Sequence, residues 1–182
     1  MLPPEIIGRK ILILGDIGSG KTRLTARIIL ELIRAGYADE ITIIDMAPPR
    51  IKGAGGRLRE YTGSNIKVKK YLEPVEVYAP RLQSRTTDEA LRLAEKNREA
   101  IEPLIEEYLK SPTNILIIND LTIYLHAGSL EKILECVRRS NTMVANAYYG
   151  EKLSLNHGEV ISIREKKLVE ELIKYMDTVI RL

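Results

Sequence analysis

Apolar residues fall along the chain in two kinds of pattern. Short, nearly continuous runs occur at Lys10–Leu14 (KILIL), Ile41–Asp45 (ITIID), Asn114–Asp120 (NILIIND), Thr142–Ala147 and Thr178–Leu182. Runs of this length, bounded by Gly, Pro or polar turns, predict strands buried on both faces, as in a parallel sheet. Between them the spacing changes to that of a helix. Over Thr22–Ala35, Leu24, Ile28, Ile29, Leu32 and Ile33 share one face, and Gly36 stands where a helix stops. Thr86-Thr87-Asp88-Glu89 reads as a capping box, with Thr86 as N-cap and Glu89 at N3. It opens a helical stretch to about Leu109 that Pro103 should kink or split. Gly128-Ser129 opens a helix ending near Arg139. Ser162-Ile163-Arg164-Glu165 reads as a second capping box, opening a helix to about Met176.

Strands alternating with helices predict an α/β chain, a three-layer α/β/α sandwich with a mainly parallel sheet. At 182 residues the expectation is one domain spanning 1–182. Residues 50–78 break the alternation. Ala47-Pro48-Pro49 ends the second strand. Arg50–Asn65 then reads as a mobile basic loop, with Gly53, Gly55, Gly56 and Gly63 among Arg50, Lys52, Arg57 and Arg59. A hairpin is expected from Ile66–Tyr71 and Val75–Tyr78.

Composition narrows the class. A hydrophobic share of 45% and a charged share of 29% suit a water-soluble globular chain. A net charge of +3 confines any basic surface to a local patch, the 50–70 segment. Gln83 is the one glutamine beside abundant Lys, Arg and Glu, a thermophile tendency. Cys136 is the single cysteine, so no intrachain disulfide can form, and its helical setting predicts a packing role. No stretch approaches the roughly 18 uninterrupted apolar residues of a membrane span, and MLPPEIIGRK lacks a long apolar leader core. These features predict a cytoplasmic protein without membrane contact.

One motif carries specific chemistry. Gly15-Asp16-Ile17-Gly18-Ser19-Gly20-Lys21-Thr22 fits G-x-x-x-x-G-K-[ST] at every required place, between a predicted strand and a predicted helix. Glycines let the backbone curl so that successive N–H groups point at anionic oxygens. The helix opening at Lys21 aims its positive dipole end at the same oxygens. Lys21 would reach the β- and γ-phosphates of a nucleoside triphosphate, and the Thr22 hydroxyl would ligate Mg²⁺. Asp120, closing the apolar run Ile115–Ile118, is the expected second carboxylate on the metal. Asp45, closing another strand, is a candidate for orienting water or contacting substrate.

These residues resemble the RecA-like P-loop ATPases, including KaiC- and DnaB-type relatives. GDIGSGKT resembles Walker A and ILIIND resembles Walker B. TMVANAY at Thr142–Tyr148 resembles the strand whose polar end senses the γ-phosphate, which makes Asn146 the implied sensor. MDTVIRL resembles the closing strand. The resemblance implies ATP as ligand, Mg²⁺ as cofactor, ATP hydrolysis, and rings or filaments that act on nucleic acid. The absence of an Asn/Thr-Lys-x-Asp guanine motif also points to ATP. The chain departs from the family at the catalytic glutamate. Ala47 stands where an I-D-x-E setting would place it, and Leu121 follows Asp120 where other P-loop ATPases carry one.

The missing glutamate leaves two further readings open. One is a small-molecule kinase, since Asn119-Asp120-Leu121-Thr122 resembles part of the cobinamide kinase pattern. The other is a nucleotide-dependent switch that does not hydrolyse. The basic 50–70 segment could bind nucleic acid, a phosphorylated substrate or a partner, with Tyr61 and Tyr71 for stacking. Arg138 or Arg139, and with less support Arg81, Arg85 or Arg164, could serve as an arginine finger in a homo-oligomer. Tyr148 or Tyr149 could line the site. His126 and His157 stand apart from any Cys or carboxylate cluster at zinc-ligand spacing.

Overall fold

A computed structural model describes residues 3–50, 56–150 and 158–182. In chain order the elements are α1 (Pro3–Ile6), β1 (Lys10–Gly15), α2 (Lys21–Arg34), β2 (Ile41–Asp45), α3 (Arg59–Thr62), β3 (Lys70–Leu72), α4 (Pro80–Gln83), α5 (Thr87–Lys110), β4 (Ile115–Asn119), α6 (Thr122–Leu125), α7 (Leu130–Arg139), β5 (Thr142–Tyr148), α8 (Glu159–Ile173) and β6 (Thr178–Arg181). The strands form one sheet in the order β3-β2-β4-β5-β1-β6, and every pairing is parallel.

The period-2 rule of a strand sorts each apolar run onto two faces. Ile11, Ile13, Ile43, Ile117 and Val144 pack with Ile28, Ile29 and Leu32 of α2. Leu12, Leu14, Ile44, Leu116, Ile118 and Ala145 pack with Ile101 and Ile105 of α5, Ile133 of α7, and Val169 and Leu172 of α8. The result is the three-layer α/β/α sandwich expected from the alternation of elements, with a core on each face of the sheet.

Parallel strands bring all their carboxyl ends to one edge. β5 lies between β1 and β4, so Asn146 of β5 sits between the loop after β1 and Asp120 after β4. This order places the candidate site.

Helix ends follow local chemistry. α2 closes with Gly36 at φ 92°. The Gly36 N–H bonds the Ile33 carbonyl at 3.0 Å and the Tyr37 N–H bonds the Leu32 carbonyl at 3.1 Å, the paired bonds of a Schellman motif. Thr86 caps α5, its hydroxyl accepting from the Glu89 N–H at 3.2 Å. Glu89 reaches back to the Arg85 N–H at 2.7 Å, one residue earlier than a capping box requires.

Three expectations are corrected. α5 is continuous through Pro103, so the proline does not split it. Pro103 and Glu99 are both exposed, so the Glu99 carbonyl that loses its helical partner faces solvent. The hairpin over Ile66–Tyr71 and Val75–Tyr78 is not formed. Lys70–Leu72 pairs in parallel with β2, and the Asn97 side chain satisfies the Tyr78 backbone at both groups, 2.8 Å to N and 2.9 Å to O. Ser162 does not cap α8, which begins three residues earlier at Glu159. Ser162 and Glu165 face Arg81 instead.

The described residues of the basic segment are also tied down by ion pairs and stacking. Arg57 and Arg59 pair with Glu73 at 3.3 and 3.5 Å, Arg59 stacks on Tyr71 at 3.9 Å, and Arg50 pairs with Glu60 at 3.1 Å. Lys52, Gly53, Gly55 and His157 lie outside the described residues. Among the described residues no helix is long and apolar enough to cross a membrane.

Candidate functional site

β1 delivers Gly15 to the sheet edge and α2 starts at Lys21, so the motif occupies the turn between them. Gly18 and Gly20 adopt φ of 75° and 96°, which the missing Cβ makes cheap. A Cβ at Gly15 would meet Ser19 Oγ at 2.5 Å and the Leu182 carbonyl oxygen at 2.8 Å. Asp16 closes the turn from within, its Oδ1 accepting from the Ile17 N–H at 2.6 Å. Gly20 provides no side-chain cap for α2. The first-turn N–H groups of that helix therefore suit an anion. Lys21 Nζ donates to the Gly15 and Asp16 carbonyls at 2.8 and 2.7 Å. Burial pushes its ammonium below the ordinary lysine range, with Asp120 the largest opposing influence.

Asp120 stands at φ 56°, the one non-glycine positive φ among the described residues. Asp tolerates this region better than most side chains. The conformation is held from several directions. The Asp120 N–H donates to Asn146 Oδ1 at 2.9 Å, the Leu121 N–H donates to the Asn146 carbonyl at 2.9 Å, and Thr122 Oγ1 lies 3.3 Å from Asp120 Oδ1. Burial raises the Asp120 carboxyl above the usual range, Lys21 opposes that rise, and Glu165 adds to it. A half-buried carboxylate near one ammonium is suited to a cation.

Asn146 is 1% exposed. Its Nδ2 donates to Thr25 Oγ1 at 2.9 Å and to Asn119 Oδ1 at 2.7 Å, and Asn119 Nδ2 in turn donates to Asp45 Oδ1 at 2.7 Å. Both amide hydrogens of Asn146 are thus committed. This geometry suits it to fixing Asp120 between α2 and β4, and leaves it no free donor for a phosphate.

Asp45 sits at the same sheet edge, but the structure gives it a different occupation from the expected one. Its carboxylate accepts from the Leu58 N–H at 2.8 Å, the Tyr71 hydroxyl at 2.5 Å, Asn119 Nδ2 and, more weakly, the Ala47 N–H at 3.5 Å. Burial raises its carboxyl while these four bonds hold it down. It is fully buried and does not line the cavity next to the P-loop. Asp45 fastens the end of β2 to the segment that follows, and no oxygen is left to orient water.

The cavity beside the loop measures about 410 Å³ and is bounded by Lys21, Thr22, Asp120 and Asn146 on one side. Arg81, His126 and Tyr148 also line it. Arg81 makes a bidentate pair with Glu165, 3.1 Å from Nη1 to Oε1 and 2.9 Å from Nη2 to Oε2. His126 Nε2 lies 2.7 Å from the same Oε2. The Arg81 guanidinium also rests 4.7 Å from the Tyr148 ring centroid, and Lys21 Nζ lies 5.9 Å from it. Of the tyrosines proposed for the site, Tyr148 lines it and Tyr149 turns to Glu170 at 3.0 Å. Arg81 and Glu165 escaped notice as a pair because they lie far apart in the chain. The only local signal, S-x-x-E at Ser162–Glu165, also describes a helix cap.

Arg138, Arg139 and Arg164 have ordinary occupations, Arg139 donating to the Leu109 carbonyl at 3.4 Å. Arg138 pairs with Glu131 at 2.5 Å. Arg164 donates to the Leu125 and Gly128 carbonyls after α6. Among the described residues no three His, Cys, Asp or Glu side chains gather as a metal cage. Thr22 and the half-buried Asp120 fit magnesium instead, which takes few protein ligands and completes its shell with phosphate and water.

No protein-family model matches the chain, and no curated protein matches it in sequence. In structure it is similar to the flagellar accessory protein FlaH from Methanocaldococcus jannaschii. The TM-score is 0.51, with 9% sequence identity, over 97% of this chain and 71% of that one. The likeness is one of fold, the three-layer α/β/α sandwich.

Proposed function

We propose that this chain binds Mg-ATP at Gly15–Thr22 and hydrolyses it slowly. The observation that carries the reading is the convergence of Lys21, Thr22 and Asp120 on one cavity at the carboxyl edge of the parallel sheet. Loop amides and the start of α2 would hold the β- and γ-phosphates, and Lys21 would exchange its two carbonyl partners for phosphate oxygens. Thr22 and Asp120 would hold magnesium, whose charge, when bound, offsets that of the phosphate oxygens. Water adds to the γ-phosphorus, the bond to the β,γ-bridging oxygen breaks, and ADP and phosphate leave. Asn146 acts through Asp120, by fixing its backbone.

Slow turnover follows from the lining. Asp120 is the sole carboxylate among the described residues that line the cavity, and in this reading the metal occupies it. A kinase reading draws on the same cavity, because its wall continues past the phosphate cradle to Pro48, Tyr61 and Leu82, where an acceptor could sit.

Phosphate release from Mg-ATP by the full chain separates these readings. It is measured alone, with single- or double-stranded DNA, and with a metabolite panel. The expected result is slow release that Asp120→Asn lowers by about a hundredfold or more. Transfer of phosphate to a metabolite would favour the kinase. Binding without any turnover would leave a switch.

A further inference from the structure

Arg81 lines the cavity that would receive the γ-phosphate, and Glu165 pairs with it from behind that lining. The burial is unusual for such a pair, since the two side chains are 6% and 3% exposed. Buried ion pairs add little net stability over apolar packing, so stability alone gives weak grounds for placing one here. Its position offers a better reason. Arg81 lines the same cavity as Lys21, Thr22 and Asp120, and the Tyr148 ring forms a common wall for the Arg81 guanidinium and the Lys21 ammonium. Glu165 is close enough to act electrostatically on both Lys21 and Asp120.

We infer that Arg81 is a γ-phosphate sensor supplied by this same chain, with Glu165 as the partner it holds when no triphosphate is bound. The inference rests on the nucleotide-site reading above. A terminal phosphate presents the planar guanidinium with the same two-oxygen geometry as a carboxylate, and with more charge. Phosphate and Glu165 therefore compete for one side chain. Two features leave each side chain with a contact when the exchange happens. His126 Nε2 stays on Glu165 Oε2 when the guanidinium leaves, and the Tyr148 face supports the guanidinium on the phosphate side. The Arg81 stem lies against Gly158 at the start of α8, where a Cβ would come within 2.5 Å of Arg81 Cγ. Movement of Arg81 thus changes what both Gly158 and Glu165 touch, and α8 reads whether the third phosphate is present. ADP lacks the group that competes, so it leaves the pair closed.

The test is calorimetric titration of the full chain with magnesium and either ADP or a non-hydrolysable ATP analogue. Wild type, Arg81→Ala, Glu165→Gln and Lys21→Ala are compared, with Arg81→Lys and Ser162→Ala as milder variants should a buried change prevent folding. Arg81→Ala should lower affinity for the analogue by about tenfold to a hundredfold and leave ADP within twofold. Glu165→Gln should raise the preference for the analogue over ADP. Arg81→Lys should fall between wild type and Arg81→Ala, and Ser162→Ala, which removes a partner of Nη1, should shift the preference in the Glu165→Gln direction. A purely structural pair would change the melting temperature and not the ratio of the two affinities. If Lys21→Ala abolishes both affinities while the Arg81, Glu165 and Ser162 variants leave their ratio unchanged, the sensor is wrong and the nucleotide site stands. If wild type binds neither ligand, both fall.

Discussion

At the scale of single residues, the cavity is backed by side chains hydrogen-bonded to one another. Asp45, Asn119, Asn146 and Thr25 form one buried hydrogen-bonded line from β2 to α2. Asn146→Ala would leave the Asp120 N–H, Asn119 Oδ1 and Thr25 Oγ1 each short of a partner. We expect phosphate release to fall roughly tenfold to a hundredfold, the usual effect of losing support behind a metal ligand, while binding of ADP without metal changes little. Asp45→Ala strips an acceptor from three strong donors in the interior. The expected loss of stability is about 3 kcal/mol, read by denaturant unfolding. Cys136 gives a pH-dependent check. Burial pushes its thiol up to about 12, so at pH 8 almost no thiolate exists in the folded chain. A thiol reagent should react only after unfolding, and reaction with the native chain should grow only as pH climbs toward that value.

At the scale of elements, legibility followed how local the determining forces are. The buried strands were readable because an apolar run bounded by turns has few other solutions, and Ile41–Asp45 matches to the residue. Gly36 and Thr86 were readable because helix ends are set by adjacent residues. Lys70–Leu72 was misjudged because its strand partner is β2, supplied from elsewhere in the chain. The α8 start was misplaced because Ser162 and Glu165 answer to Arg81 across the structure. Pro103 was misjudged because exposure decides the cost of a lost helical bond. That cost can be measured. Pro103→Ala restores an N–H in the middle of α5 and should raise unfolding free energy by about 1–3 kcal/mol. An unchanged value would mean that the helix has already adjusted around the proline.

At the scale of the whole molecule, one order of strands does most of the functional positioning. Because β5 separates β1 from β4, the P-loop and Asp120 face each other across Asn146, and the cavity opens at the edge where all strands end. The motif at Gly15–Thr22 was legible because its chemistry is contiguous. The rest of the lining was not, since Arg81, His126 and Tyr148 come from three separate segments that only the fold unites. The most direct measurement is the affinity of the full chain for Mg-ATP by calorimetry, with Lys21→Ala beside it. The account predicts saturable one-to-one binding by wild type and a loss of about a hundredfold or more in the variant, with its fold intact by circular dichroism. Equal affinity in the two proteins, or no binding by wild type, would contradict it.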